Sequence, residues 1–496
     1  MLEHLSFLRI FLSLVLIGVV IVIRRLYWHP LSKFPGPALP ALTSFYQFYI
    51  FWTHQEGNWY SKLHEKYGPV VRCGPNHLSF NDPSMVSTVY HSKVDKTGFH
   101  QEFSCPAAVF NKKSHIDHAV AKRRFAHAYS LPRVQLLEPA LDDQVIRFMS
   151  NLAAESQKDP LVDFGTWIRY FSFDVITAMS LGTPVGFMDA KDDIRGLIRN
   201  MEETAVREQR LSLFPPISAF ARNNPLGRRL FVSRPSDRRG LGLFMAEIRQ
   251  EVQQRRACAA KPKYEHSMLD QWLASSSSDG QGIPQQEIED ELLMDMMAGP
   301  DSIALMATNL VFLVADQRPI LQRAQAEVDA AYADGRLSGQ VPTYEECRRL
   351  PFITACVNEG LRFVASTFPR RRASPPGRPF SLSGIHVPPG TSVSSSAAMI
   401  GRHPDLYGEQ ADQFLPDRWL AASPEQLQEW ARLDVHWGVG VRKCLGKHVG
   451  LMALYKTLVT LVRSFDLQLE ETTTINRWSY PSSEHMLLTP HTPPTQ

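Results

Sequence analysis

The chain has 496 residues, of which 44% are hydrophobic and 21% are charged, and these are ordinary values for a globular protein. A net charge of +3 and the lack of a dense basic run interleaved with aromatic residues argue against a nucleic-acid-binding surface. Six cysteines, none of them in a C-x-x-C pair, exclude a zinc ribbon, a thioredoxin motif and a disulfide scaffold. A reducing compartment and one large domain, with room to enclose a bound group, are therefore expected.

The first element is an apolar stretch at Leu5–Ile23 that only Arg9 interrupts. A helix of this length, at about 1.5 Å per residue, spans about 30 Å, which is the thickness of a bilayer core. Arg24 and Arg25 follow the stretch, and this placement of positive charge predicts that the rest of the chain faces the cytoplasm. The alternatives are a buried helix and a cleaved signal peptide, for which no small-x-small site follows. We expect residues 1–30 to form a membrane anchor.

The remaining chain is predicted to be mainly α with a minor β portion (α+β) near both ends of the body. The proline-rich segment Phe34–Pro37 cannot continue the anchor helix. Apolar residues recur at spacings of three and four through most of residues 115–350, which predicts helices. Strands are predicted at Val70–Cys73, His77–Phe80, Phe380–Leu382 and Ser392–Ser396. The main predicted helices are Asn58–Tyr67, Val134–Glu155, Trp167–Leu181, Gly240–Arg256, Ile288–Ala315, Pro319–Tyr332, Pro351–Phe363 and Leu445–Ser464.

The predicted helix Ile288–Ala315 carries an acid beside a hydroxyl, Asp301 and Ser302, in an apolar stretch. Polar groups in such a helix are costly unless they are paired or hydrated. Pro300 has no N–H and crowds the preceding turn, which predicts a kink and a groove that holds small molecules. The alternative is that Pro300 ends the helix, although the apolar pattern continues through Ile303–Val314.

A loop rich in glycine and basic residues, 437–446, leads to Cys444. A helix is predicted to begin directly after Cys444, so that the helix dipole, with Arg442 and Lys443, favours the thiolate, which is the form that binds metals. The glycine spacing begins like a dinucleotide-binding fingerprint, but Lys443 occupies the place of its third glycine. From these residues alone, a reactive cysteine and a small buried hydrophobic one both remain open.

This loop resembles the haem-binding loop of the cytochrome P450 family, F-x-x-G-x-R-x-C-x-G. The matching residues are Trp437 in the place of the phenylalanine, Gly440, Arg442, Cys444 and Gly446. The resemblance implies that Cys444 is the axial ligand of a haem iron, and a thiolate in that place favours cleavage of the O–O bond. It also implies that the other four residues contact the haem: an aromatic cover, two glycines that admit a flat ligand, and an arginine that pairs with a carboxylate.

Two further basic motifs agree with the resemblance. His118 and Lys122 match the family's haem-contacting helix, W/H-x-x-x-R, with lysine in the usual place of arginine. A solvated basic helix face is the alternative for this segment. Arg372 takes the place of an arginine that binds a haem propionate, with Arg370 or Arg371 as alternatives if the register differs.

Two other motifs imply a catalytic pair and a structural group. Asp301 and Ser302 match the acid and the hydroxyl of the family's oxygen-activation motif, [A/G]-G-x-[D/E]-[T/S], which implies that they deliver protons. Glu359 and Arg362 match E-x-x-R, and with Arg418 they would form a structural trio that fixes the segment before the cysteine loop.

The resemblance runs from residue 34 to residue 446 and implies a cytochrome P450 fold, in which residues 31–496 form one haem-binding catalytic domain. It implies a haem-thiolate monooxygenase with haem b (iron protoporphyrin IX), which uses O₂ and oxidises a lipophilic small molecule. Because the sequence has no flavin or nicotinamide motif, we expect NADPH to act only through an NADPH-cytochrome P450 reductase, with cytochrome b5 as an optional second donor. The substrate pocket is expected among Phe99–Phe110, Arg207–Phe220, Leu292–Gly299, Phe363–Phe368 and Ser479–Met486.

The segments Leu31–Pro37 and Leu181–Phe187 look like those of filamentous-fungal members that act in secondary metabolism. Such a protein is expected to be single-pass in the endoplasmic reticulum membrane. A haem-thiolate isomerase or dehydratase that works without O₂ would lack the acid and hydroxyl that this chain has at Asp301 and Ser302. A haem-based gas sensor would carry a fused output domain, for which we find no room in the sequence.

Overall fold

The computed structural model describes residues 2–53, 55–90, 94–97, 104–237, 240–257, 261–275, 282–364, 371–374, 380–471, 473–474 and 482–492. Within these ranges the chain is mainly helical with small sheets, so the predicted fold class is confirmed. The α-helices are α1 (Leu2–Ile23), α2 (Ala38–Leu42), α3 (Phe45–Trp52), α4 (Glu56–Tyr67), α5 (Val86–Val89), α6 (His115–Phe125), α7 (Leu131–Gln135), α8 (Glu138–Ser156), α9 (Phe164–Leu181), α10 (Phe187–Ala190), α11 (Leu197–Ser212), α12 (Pro215–Asn223), α13 (Pro225–Phe231), α14 (Leu241–Arg256), α15 (Met268–Ala274), α16 (Gln285–Asp316), α17 (Arg318–Ala333), α18 (Tyr344–Arg348), α19 (Pro351–Phe363), α20 (Ala397–Gly401), α21 (Pro404–Tyr407), α22 (Asp417–Ala421), α23 (Pro424–Leu433) and α24 (Lys447–Ser464).

The strands join parts of the chain that are far apart in sequence. The strands are β1 (Val70–Gly74), β2 (His77–Phe80), β3 (Leu161–Asp163), β4 (Arg372–Ala373), β5 (Ser381–Leu382), β6 (Ile385–His386), β7 (Ser392–Ser394), β8 (Phe465–Leu469) and β9 (His485–Pro490). They form sheets of order β1-β2-β7-β4, β3-β9-β8 and β5-β6. The parallel pair β2 and β7 places Nε2 of His77 2.7 Å from Oγ of Ser394, 317 positions away. This sheet places β4, which carries Arg372, next to β7 and one strand away from the hairpin of β1 and β2.

Helix α16 runs through the main hydrophobic core and packs most extensively against α9. A Cβ on Gly299 would lie only 2.8 Å from Cδ1 of Ile176, so glycine allows α9 and α16 to approach closely at this point. Pro300 lies inside α16, which continues to Asp316. The alternative in which Pro300 ends the helix is therefore wrong, because the apolar residues after it remain buried in the core.

The predicted helix Val134–Glu155 is wrong as one continuous element. The structure divides it into α7 and α8, with Leu136 and Leu137 between them. Pro139 lies in the first turn of α8, where its missing N–H is not needed. Proline therefore starts a new helix here, and apolar spacing alone does not reveal the break.

The N-terminal helix α1 passes into a π-helix at Arg24–Trp28, and Pro30 begins a separate 3₁₀ turn. The span Arg9–Trp28 has a mean hydropathy of 2.3 and none of it is buried, so it is long and apolar enough to cross a membrane. Helix α16 is also long and apolar enough, but most of its residues are buried inside the protein. Nη1 of Arg72 donates to the carbonyl of Arg25 at 2.8 Å, which joins the base of the N-terminal helix to β1.

Candidate active site

The cysteine loop connects α23 to α24. The backbone N–H of Cys444 donates to the carbonyl of Trp437 at 2.7 Å and closes the loop, which contains a 3₁₀ turn at Gly440–Arg442. A second turn at Leu445 and Gly446 follows, so α24 begins at Lys447, two residues later than its predicted start directly after Cys444. Cys444 is exposed, whereas the other four cysteines within the described ranges are buried.

Glycine and tryptophan fix the shape of this loop. Gly440 has φ +69°, and a Cβ on it would lie 3.0 Å from the carbonyl oxygen of Tyr90. A side chain there would therefore be strained and would press on a backbone atom. Trp437 packs on α24, because a Cβ on Gly450 would lie 3.1 Å from its Cη2 atom. These contacts hold the loop in place, and the side chain of Cys444 remains exposed.

Arg442 is anchored to the segment before α6. Its Nη1 and Nη2 atoms donate to the carbonyls of Lys112 at 2.9 Å and Lys113 at 2.7 Å. Its Nε atom is buried and has no hydrogen-bond partner among the described residues. Burial lowers the pKa of Arg442 to about 10. Two carbonyls orient this cation, and the buried N–H on Nε remains as a donor for another group.

His118 lies on α6 at the centre of a group of cations. It is buried, and its Nδ1 atom lacks a hydrogen-bond partner in the part of the chain that the structure describes. Burial, together with the positive charges of Arg442, Lys122, Lys96 and Arg372, lowers the pKa of His118 to about 3. The imidazole is therefore neutral near pH 7, and the four charges around it favour a bound anion.

Lys122 joins α6 to the cysteine loop, since its Nζ donates to the carbonyl of Val441 at 2.6 Å. Burial lowers the pKa of Lys122, and its electrostatic interaction with Cys444 opposes this change. The lysine thus touches the loop that carries the cysteine. A freely solvated basic helix face, the alternative interpretation, does not describe it.

The structure distinguishes Arg372, the first residue of β4, from Arg371 directly before it. The guanidinium of Arg372 lies over the ring of Tyr90, 5.3 Å from its centroid, and its charge acts on His118. Arg371 is buried on another side, where Nη2 lies 3.4 Å from Oε1 of Gln47 and where its charge interacts with Tyr60. Arg370 lies outside the described residues. The geometry therefore favours Arg372 over Arg371.

Sequence reasoning missed Lys96 as a member of this group. Lys96 pairs with Arg372 in an isolated antiparallel bridge, and its Nζ donates to the carbonyl of Phe110 at 2.6 Å. No motif surrounds Lys96 in the sequence, so only the three-dimensional pairing places it here.

Helix α16 presents an open face although it crosses the core. Ala298, Asp301 and Ser302 are exposed, while most of the following turns are buried. Asp301 also borders a cavity, which Glu202 of α11 and Arg169 of α9 line. Burial raises the pKa of Glu202, and the charge of Asp301 adds to this rise. Sequence reasoning missed Glu202, because it lies on another helix.

The structure brings Glu359, Arg362 and Arg418 together. Nε and Nη2 of Arg362 donate to the two carboxylate oxygens of Glu359 at 2.8 and 2.7 Å, and Nε of Arg418 donates to Oε1 at 3.0 Å. Nε1 of Trp419 also donates to Oε2, at 2.8 Å. This group lies away from Cys444 in sequence and forms a buried network that joins α19 to α22.

The residues around Cys444 fit a flat, anionic, iron-containing cofactor. Such a cofactor supplies most iron ligands itself and needs one thiolate from the protein. An exposed thiol, converging cations and buried donors without partners, at His118 and Arg442, meet that need. No group of three or more His, Cys, Asp or Glu within the described ranges is arranged to hold a metal ion. The fold and the site thus define the class of mainly helical haem-thiolate proteins.

The comparisons with known proteins give the family. Residues 35–494 match the model of the family described as Cytochrome P450, and the chain belongs to this family. It is 28% identical over 467 residues to Cytochrome P450 monooxygenase gsfF of Penicillium aethiopicum, and the alignment covers 89% of each chain. It is 26% identical over 458 residues to Quiannulatic acid synthase of Emericella variicolor, again over 89% of each chain. A Cytochrome P450 monooxygenase of Aspergillus terreus is 27% identical over 90% of this chain and 92% of its own length.

The expected family, fold and enzyme class are therefore confirmed. The chain is a cytochrome P450 monooxygenase, its family implies a haem-thiolate iron cofactor, and its curated relatives are fungal monooxygenases of secondary metabolism. The expected substrate pocket is described only in part. Residues 99–103, 365–368 and 479–481 of its segments lie outside the described ranges.

Proposed function

We propose that this enzyme is anchored in the membrane of the endoplasmic reticulum and oxidises a lipophilic small molecule, an intermediate of fungal secondary metabolism. The observation that carries the proposal is the exposed Cys444 in a closed loop beside converging cations. The proposed cofactor is haem b with Cys444 as its axial ligand. When bound, the haem supplies the activation of O₂ and the transfer of one oxygen atom to the substrate.

The basic groups around His118 hold and orient the cofactor in this proposal. Arg442 and Arg372 offer guanidinium donors to its carboxylates, and Lys122 adds a third charge. His118 is neutral, so it contributes a hydrogen bond and no charge. In this proposal Trp437 would cover the thiolate against water, and Gly446 would leave room for a flat ring, because a Cβ there would meet only Sγ of Cys444, at 4.0 Å.

Asp301 and Ser302 move protons to the open face of α16 in this proposal. Ser302 is exposed on that face, and Asp301 borders the cavity that Glu202 and Arg169 line. A carboxylate between a cavity and the reaction site exchanges protons with water on one side and with a hydroxyl on the other. Serine keeps the hydroxyl of the family's usual threonine but lacks the methyl group that restricts its rotamer.

Electrons come from NADPH through a separate reductase, with cytochrome b5 as an optional second donor. Arg123 and Lys443 are exposed on the two segments that carry the site, and they suit an acidic docking partner. The apolar span Arg9–Trp28 supports a single-pass anchor. Arg24 and Arg25 lie near the end of this span that leads into the body of the chain, which supports a catalytic domain in the cytoplasm.

The test is the difference spectrum of the reduced protein with and without carbon monoxide. The wild-type protein is expected to give the strongly red-shifted Soret band of thiolate ligation. Cys444→Ser should abolish that band, whereas Cys347→Ala, which removes a buried cysteine on α18, should keep it. A wild-type band typical of histidine ligation, or a thiolate band that persists in Cys444→Ser, would overturn the assignment.

A further inference from the structure

A second carboxyl group of α16, Asp295, is held by two hydroxyl groups from different elements. Oη of Tyr129, which follows α6, donates to Oδ1 at 2.5 Å, and Oγ of Ser180 on α9 donates to Oδ2 at 3.0 Å. Asp295 is half-buried on the helix that carries Asp301 and Ser302. We call Tyr129, Asp295 and Ser180 the α16 clamp, because they tie α16 to two neighbouring elements.

The geometry of the clamp depends on the charge of Asp295. Two donors on two separate carboxylate oxygens fit the ionised form, since a protonated carboxyl must donate from one oxygen. Ser180 has an alternative acceptor, because its Oγ also lies 3.8 Å from Sδ of Met268 on α15. When Asp295 takes up a proton, its hydrogen bonds with Tyr129 and Ser180 lose the assistance of the negative charge and become roughly half as strong, and Ser180 can turn its hydrogen toward Met268 instead. The clamp therefore has two hydrogen-bond arrangements in the same fold.

The clamp lies directly before the weak point of α16. Pro300 cannot donate to the carbonyl of Met296, so the ladder of helix hydrogen bonds is interrupted one residue after Asp295. Asp295 and Ser302 are seven residues apart, which places them within about 20° of one face and about 10 Å apart along the axis. Contacts that fix Asp295 therefore limit the rotation of α16 on the side where Ser302 is exposed.

We propose that the α16 clamp is a positioning device, which holds α16 in the rotation that presents Ser302 to the cofactor site and which loosens when Asp295 is protonated. This inference rests on the proposed role of Ser302. Asp295 is a positioning residue here, because it acts on the site only through the helix.

The charges that face the clamp support a change near neutral pH. Burial raises the pKa of Asp295 to about 7, and its hydrogen bonds with Tyr129 and Ser180 oppose that rise. Glu291, one turn earlier on α16, has a pKa raised to about 8 by burial and by the charge of Asp295. Burial and these two carboxylates also raise the pKa of Tyr129, which remains a neutral donor. Because Asp295 and Glu291 interact, their titrations are coupled and each needs its own variant.

The first experiment follows the infrared band of protonated carboxyl groups in the purified full-length enzyme from about pH 5 to about pH 9. As pH rises through neutrality, the wild-type band is expected to lose one component. This component should be missing in Asp295→Asn at every pH and should be retained in Glu291→Gln. Tyr129→Phe removes a donor to the ionised form, so the midpoint should shift upward. A titrating band that keeps its full wild-type amplitude in Asp295→Asn, or an Asp295 component whose midpoint does not move in Tyr129→Phe, would overturn the clamp.

The second experiment measures hydrogen peroxide released per NADPH consumed, with reductase and substrate, over the same pH range. Wild type should release roughly threefold more peroxide below the infrared midpoint than above it, as expected when one hydrogen bond is loosened. Asp295→Asn should release the larger amount at every pH. Glu289→Gln is the matched control, because Glu289 is also buried on α16 but binds Arg249 of α14, and it should keep the wild-type profile.

Ser302→Ala separates this inference from the proposed function. If Ser302→Ala releases more peroxide while Asp295→Asn follows the wild-type profile, the clamp is not a positioning device and the role of Ser302 stands. If Ser302→Ala leaves peroxide release unchanged, the proposed role of Ser302 fails, and with it the positioning role of the clamp, whatever the infrared titration shows.

Discussion

Arg418 reaches Glu359 across 59 positions of the sequence, with Nε of the arginine 3.0 Å from Oε1 of the glutamate. The carboxylate of Glu359 is fully buried and also accepts two bonds from Arg362, one from the indole of Trp419 and one from the backbone of Leu415. A buried charge is tolerated when all of its hydrogen bonds are made. The group therefore joins α19 to the segment that leads toward the cysteine loop.

Glu359→Gln should destabilise the protein strongly, because it leaves two guanidinium groups in the interior without their carboxylate. The expected loss is about 3–5 kcal/mol in the free energy of unfolding, measured by urea denaturation. Glu345→Gln is the control, since Glu345 pairs with Arg348 at the surface and should cost less than about 1 kcal/mol. Equal losses in the two variants would contradict the role of Glu359.

Gly440→Ala should weaken retention of the cofactor. The new Cβ would lie 3.0 Å from the carbonyl oxygen of Tyr90 at a φ of +69°, so the loop must shift to relieve the contact. Gly335→Ala is the matched control, because its φ is +68° and nothing lies within 4 Å of the added atom. Left-handed strain alone costs about 1–2 kcal/mol, which both variants share. The ratio of haem to protein absorbance should fall in Gly440→Ala and stay at the wild-type value in Gly335→Ala.

The sequence predicts the secondary-structure elements of this fold better than the contacts between them. Periodic apolar residues reveal α16, and the spacing of the loop that ends in Cys444 reveals the family. Lys96 and Glu202 carry no local signal, because they reach the site only through the bridge to Arg372 and through the packing of α11. The break between α7 and α8 escapes apolar spacing for a related reason: it depends on a single proline at a helix start.

Ser302→Ala should increase the hydrogen peroxide released per NADPH consumed. Ser302 lies on the exposed face of α16 beside Asp301, and in the proposed relay the loss of its hydroxyl removes the last proton donor before the site. A positioned proton donor contributes about 10²–10⁴-fold to a step, so the ratio of peroxide to product should rise clearly. Ser302→Thr restores a hydroxyl and should return the ratio to the wild-type value or below it. An unchanged ratio in Ser302→Ala would remove Ser302 from the relay.

Asp295 should make the protein less stable as pH rises toward neutrality. Its pKa is about 7 in the folded protein, compared with the ordinary value of 3.8, so between these values the folded state binds more protons than the unfolded state. Stability from this group is therefore complete below about pH 4 and is lost as pH rises through about 7, by a total on the order of 4 kcal/mol at 1.36 kcal/mol per unit. Asp295→Asn removes the charge but keeps an acceptor for Tyr129. The unfolding free energy of Asp295→Asn, measured by urea denaturation at several pH values, should therefore decrease less steeply than that of wild type between about pH 4 and pH 7. Parallel pH profiles would show that the folded protein does not hold a proton on Asp295.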